Sequence, residues 1–265
     1  MSALPGSPHP RSACTRRSRR LVAVLVAALL GGCQAGSDDA PADAEASSSS
    51  SPSSPSELPG GCSEDSHCDF EAGTYRLSDR EVIPGMQLTL PAGWSSREND
   101  QGELNLLSPD SDDDQVFFWI DMVAVESTGP SHGTALTGVG TSPDALVAWL
   151  TGNPDFEIVT PPGSATVGDT PVTTLTAKAS ATADYGDPDC PANPRCADFF
   201  TNPRWWGTNS YGIAGDEEAR FYLGTVALSD GPHTVVIALD SPDHERLGRL
   251  VSAAQPIIDS VRFPA

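Results

Sequence analysis

From residue 74 to residue 239 the apolar positions recur with the two-residue period of strands. The runs are Thr74–Leu77, Met86–Leu90, Glu103–Leu107, Gln115–Val125, Pro171–Lys178, Ala219–Leu228 and Thr234–Leu239. Gln115–Val125 is apolar at both parities. Val116, Phe118, Ile120, Met122 and Ala124 would share one face, with Phe117, Trp119, Val123 and Val125 on the other. A run of that kind predicts a central strand covered on both sides. Asp121 interrupts the second face and is expected to be a satisfied or edge-lying carboxylate rather than a catalytic one.

Two stretches change to the helical period. Ser142-Pro143-Asp144 carries an N-cap serine and a proline at the first helical position, and Leu146, Val147 and Leu150 then mark a buried stripe that ends at Gly152 and Pro154. Ser241-Pro242-Asp243 opens the second, followed by Leu247, Leu250, Val251, Ala254 and Ile258. Pro256 is expected to bend or break its last turn, and Val261 and Phe263 suggest a short closing strand. Strands, a helix, more strands, a helix and a last strand predict an α+β fold, an antiparallel β-sheet flanked by two helices.

The first 61 residues follow neither period. Residues 1–32 hold Arg11, Arg16, Arg17, Arg19 and Arg20, no acid, and then the apolar run Leu21–Leu30, too short to span a bilayer; this is the pattern of a signal peptide. Residues 33–61 are rich in Ser, Pro, Asp and Ala and predict a disordered linker. Residues 62–265 are then a single extracytoplasmic domain. The chain has 15 basic and 36 acidic residues, a formal charge of −21. Loss of residues 1–32 leaves 10 basic residues and −26, with Lys178 the one lysine. Such a chain is not expected to bind nucleic acid or to grip anionic lipid by charge.

Cys62, Cys68, Cys190 and Cys196 form two pairs with five intervening residues each. An even count in an exported domain predicts disulfides; three connectivities are possible, and the local pairs Cys62–Cys68 and Cys190–Cys196 are favoured. Catalytic signatures do not emerge. Thr208-Asn209-Ser210-Tyr211-Gly212 lacks the first glycine of a nucleophile elbow, and Ser131-His132 lies in a glycine-rich loop with nothing else to mark it. Asp110, Asp112 and Asp114 have the spacing that begins a calcium loop, but Gln115 stands where glycine is needed and a strand starts there, so a solvated turn is expected. No catalytic residue, metal site or cofactor is expected. The segment Cys190–Gly215 gathers Phe199, Phe200, Arg204, Trp205, Trp206 and Tyr211 between prolines. Phe200, Arg204, Trp205, Trp206 and Tyr211 are the candidate ligand-binding residues, because rigid rings beside an arginine suit a sugar, peptide or protein surface.

Leu30-Gly31-Gly32-Cys33 resembles the lipobox of bacterial lipoproteins, with a composition like that of actinobacterial chains. The resemblance implies cleavage before Cys33, a diacylglyceryl group on its sulfur and palmitate-type acylation at the extracytoplasmic face of the cell membrane. Leu88-Thr89-Leu90-Pro91-Ala92-Gly93-Trp94, a late strand pair, a long helix and the ending Val261-Arg262-Phe263 resemble the Mog1/PsbP-like α/β/α sandwich over about residues 74–263. That superfamily implies a scaffold for binding and assembly without shared catalytic residues. The expectation is a lipid-anchored, non-enzymatic binding or assembly module with a protein or cell-envelope partner. The alternative is a cell-envelope hydrolase whose active site carries no familiar motif.

Overall fold

Residues alternating to two apolar faces build the centre of the domain, and everything else is arranged to cover it. The computed structural model describes residues 54–59, 67–78, 82–98, 103–187, 190, 192, 194–204 and 210–264. The strands are β1 (Ser56–Glu57), β2 (Cys68–Asp69), β3 (Gly73–Arg76), β4 (Gln87–Leu90), β5 (Ser95–Glu98), β6 (Glu103–Ser108), β7 (Ser111–Ile120), β8 (Val123–Ala124), β9 (Phe156–Val167), β10 (Thr170–Ala179), β11 (Cys196–Thr201), β12 (Tyr211–Ala214), β13 (Glu218–Leu228) and β14 (Gly231–Ser241). The helices are α1 (Pro143–Gly152), before β9, and α2 (His244–Ser260), after β14.

Eight strands form one sheet in the order β2-β5-β6-β7-β14-β13-β10-β9, and every neighbouring pair in it is antiparallel. On one face Val116, Phe118, Ile120, Ile237 and Leu239 meet Leu247, Leu250, Ile257 and Ile258 of α2, Leu88 and Leu90 of a small β1-β3-β4 sheet, and Leu77 just after β3. On the other, Phe117, Trp119, Phe221 and Val236 meet Leu146 and Leu150 of α1 and Phe199, Phe200, Tyr211 and Ile213 of a β12-β11-β8 sheet.

The domain is therefore mostly β, and the expected α/β/α sandwich is overturned. The reason is coverage. A sheet of eight strands is about 35 Å wide at about 4.8 Å per strand, and the ten residues of α1 make a helix only about 15 Å long. Strand layers supply the rest of each cover. Two strands come from segments that do not look like strands: β9, at the edge of the large sheet, carries Pro161 and Pro162, and β11, in a cover, has no alternation because all six of its residues are buried.

The strand predicted over Gln115–Val125 ends early. Asp121 takes a left-handed φ of 52°, and the chain then leaves the large sheet. Met122 and Ala124 consequently pack with Phe117 and Trp119 rather than with Val116 and Phe118. Helix α1 begins as expected, with Ser142 accepting from the Ala145 N–H. Helix α2 is capped by Asp243, two residues later than expected. Ser241 is still the last residue of β14, and its hydroxyl donates to Asp114 at 2.6 Å. Pro256 stays within the helix, which runs to Ser260 with Ala254, Ile257 and Ile258 buried around the proline. Beyond it Arg262 forms a single bridge with Gln87 in place of a closing strand.

The described residues include 54–59, part of the stretch expected to be linker. Ser56 and Glu57 pair in parallel with Tyr75 and Arg76, the Leu58 N–H donates to the Arg76 carbonyl at 2.9 Å, and Leu58 is buried in the first core. This short strand has few hydrogen bonds, so the leucine is its main hold. Leu58→Ala should cost about 2–5 kcal/mol of stability, the usual range for such a core truncation, read by chemical denaturation. A loss below about 1 kcal/mol would mean that the segment contributes little to the core.

Candidate functional site

The Cys190–Gly215 segment, singled out from sequence as an aromatic loop, contains β11 and β12. Cys190 and Cys196 are joined by a disulfide. Cys68 is also disulfide-bonded, and its partner lies outside the described residues. Phe200 and Tyr211 are core rings, not surface ones. Phe200 meets Phe221 edge-on with centroids 5.5 Å apart, and Tyr211 lies 4.7 Å from Trp119 and 5.3 Å from Phe117. Phe199 stacks on Phe156 at 4.4 Å. Arg204 is exposed, and its N–H donates to Asn202 Oδ1 at 3.0 Å. Trp205, Trp206, Cys62 and Cys33 lie outside the described residues.

The polar centre of this region is Asp198, a buried carboxylate in the middle of β11. His132 Nδ1 is 3.0 Å from Asp198 Oδ2, and the Tyr185 hydroxyl donates to the same oxygen at 3.2 Å. Ser210 hydrogen-bonds the carboxylate as well. Gly212 permits this approach: a Cβ there would fall inside contact distance of Asp198 Oδ1. Burial pushes the Asp198 carboxyl above its ordinary range, and the hydrogen bonds from His132, Ser210 and Tyr185 pull it part of the way back. Tyr185 is raised by burial first and by the Asp198 charge second. Its ring lies 3.9 Å, centroid to centroid, from the His132 imidazole.

Ser210, His132 and Asp198 are the residue types of a nucleophilic triad, but their connections differ. A triad needs the hydroxyl on one imidazole nitrogen and the carboxylate on the other. Here Ser210 turns to Asp198 itself, and His132 Nε2 faces Asp187 at 3.7 Å. The arrangement is a clasp in which one buried carboxylate gathers the loop before α1, the loop after β10 and the start of β12. Sequence inspection touched His132 and Ser210 separately. It missed Asp198, whose one signal was an acid inside the apolar stretch Ala197-Asp198-Phe199.

Two further groups border this layer. At the end of β7, Asp121 Oδ1 accepts from the Thr234 N–H at 3.1 Å while Oδ2 lies 2.6 Å from His233 Nδ1, and His233 Nε2 is 2.8 Å from Asp230. The Asp121 hydrogen bond, reinforced by Asp230, raises the His233 pKa. Asp240 accepts from the Tyr211 hydroxyl at 3.0 Å. Burial, with the nearby Glu217, Asp114 and Glu103 charges, pushes its carboxyl well above the ordinary range. The Asp110–Asp114 turn is occupied internally: Asp114 pairs with Arg246 of α2 at 3.1 Å, and Arg246 donates to Ser111 at 2.6 Å. Among the described residues no group of three or more His, Cys, Asp or Glu side chains is arranged to hold a metal ion.

No protein-family model matches the chain, and no curated protein matches it. Among solved structures it is similar to LpqN, involved in cell envelope biogenesis of Mycobacterium tuberculosis. The identity is 12%, the TM-score 0.39, and 71% of this chain and 87% of that one are covered. It is also similar to a protein from Bacteroides thetaiotaomicron VPI-5482, with 9% identity, a TM-score of 0.34, and 68% of this chain and 45% of that one covered. The chain thus spans less than half of the Bacteroides protein. At these scores neither likeness bears on what this chain binds or does.

Asp240 gives the site a pH signature. An unfolded Asp ionises near pH 4, whereas the folded Asp240 keeps its proton to higher pH. The unfolded state therefore releases the proton first, and stability falls as pH rises from about 4 toward the folded pKa. Asp240→Asn removes that loss and keeps an acceptor for Tyr211. The variant should melt higher than the parent at neutral pH, with the gap closing toward pH 4 in thermal melts. Parallel pH profiles would show that no proton is retained.

Proposed function

We propose that this chain is an extracytoplasmic binding or assembly module, anchored to the cell membrane by lipid on Cys33 and acting without catalysing a reaction. The observation that carries the reading is the Cys190–Cys196 disulfide. Such bonds persist outside the reducing cytoplasm, and the five arginines, apolar run and Leu-Gly-Gly-Cys stretch of the first 33 residues supply a route there. On this reading the Ser, Pro and Asp stretch that follows Cys33 serves as a tether. Non-catalytic action is supported by the connections around Asp198, which spend a histidine, a phenol and a serine on fastening loops. The partner is a protein or a cell-envelope component.

Fractionation with a palmitate label tests the anchor. The wild-type protein should carry label and sediment with membranes. Cys33→Ala should remain unlabelled and uncleaved. Equal labelling, or normal maturation of the variant, would exclude Cys33 as the lipid site.

A further inference from the structure

The opposite face of the large sheet holds an arginine, Arg220, with no ion pair among the described residues. The ladder aligns Thr160, Thr176, Arg220 and Leu239 across β9, β10, β13 and β14, with Thr174 and Tyr222 in the next row. Cross-strand partners share a face, and Tyr222 and Leu239 belong to the core under α2. Arg220 therefore lies on the α2 side, away from Asp198. Its Nε is buried without a hydrogen bond, and no ion pair engages its guanidinium among the described residues. Its contact is with Tyr222, whose ring centroid is 5.6 Å from Cζ. Thr174 Oγ1 is likewise buried and unpartnered, in a residue 7% exposed.

The near carboxylates are already engaged. Glu218, two residues along β13, lies 2.9 Å from His244 Nδ1, and Glu157 pairs at 3.2 Å with Lys178. A buried donor left without a hydrogen bond is costly, and in the half-buried Arg220 that donor is Nε. A guanidinium is planar, and its N–H groups form a fork that fits two oxygens of an oxyanion. In a chain with 36 acids, an internal carboxylate for this fork would have been easy to supply.

We propose that Arg220, held on Tyr222 with Thr174 and Thr176 beside it, is the binding site for an oxyanion, a phosphate or carboxylate group of the ligand. The site stands independently of the anchoring reading. The experiment is titration of the full-length, 15N-arginine-labelled protein with inorganic phosphate and, separately, with acetate, following the Arg220 Nε–H resonance. A saturable shift with phosphate alone assigns a phosphoryl ligand; a saturable shift with acetate assigns a carboxylate. Arg220→Lys keeps the charge without the fork and should bind the effective anion at least about tenfold more weakly by calorimetry. Arg220→Met removes the unpaired Nε donor and breaks no ion pair among the described residues, so it should melt at or above the parent temperature and lose the binding altogether. A resonance that neither anion moves, or undiminished binding by Arg220→Lys, would overturn the assignment.

Discussion

Val116, Phe118 and Ile120 face one side of β7 while Phe117 and Trp119 face the other, so the strand is stable only with apolar matter above and below it. That requirement extends through β14 and β13, where Ile237 and Leu239 alternate with Val236 and Ala238, and Tyr222 alternates with Phe221 and Leu223. An antiparallel sheet commonly leaves one face to water; this one cannot. The order of the chain follows from it. β8 leaves β7 at Asp121 to begin one cover, and α2 leaves β14 to complete the other.

The covers are fastened by polar groups under apolar layers, which explains where the buried acids stand. Asp198 ties the β11 layer to its flanking loops, Asp240 ties Tyr211 of β12 to β14, and Asp114 ties the start of α2 to the β6–β7 hairpin. Each is a carboxylate at an element junction with hydrogen bonds supplied by a different segment. Buried acids of this kind make mutual position specific, and they do so at a cost in desolvation. The same interactions that look like catalytic chemistry when sorted by residue type are accounted for as joints when sorted by partner.

How much of this was legible in the sequence depended on whether a local signal had a competing tertiary use. Ser142-Pro143-Asp144 had none, and α1 starts where its cap says. Ser241-Pro242-Asp243 opens α2 less directly: Ser241 ends β14 with its hydroxyl on Asp114, 127 residues away in the chain, and Asp243 is the cap. Pro161 and Pro162 read as loop, yet β9 is the sheet's outer edge and pairs only with β10, where a missing N–H is tolerated. The register shift between Thr174 and Thr176 falls opposite those prolines. The aromatic residues of Cys190–Gly215 pointed equally to a core and to a binding face, because a ring contributes the same area to either. Their alignment with Phe117, Phe156 and Phe221 decides for the core at Phe199, Phe200 and Tyr211. Asp198 was hidden for the same reason: its partners come from loops 66 and 13 residues away.

Charge makes the last distinction among these groups. With a formal −21 over the whole chain, the field at long range repels anions, and steering cannot bring an anionic ligand in. Recognition of one must therefore be short-range and directional. Arg246, Arg195 and Arg249 cannot provide it, since each already faces a carboxylate. Arg220 can, because its partner on the protein is a ring instead of an acid. The surrounding negative charge then acts as a filter. Beyond about 8 Å it is screened at physiological ionic strength, so it delays approach without cancelling the contact once the two oxygens meet the fork.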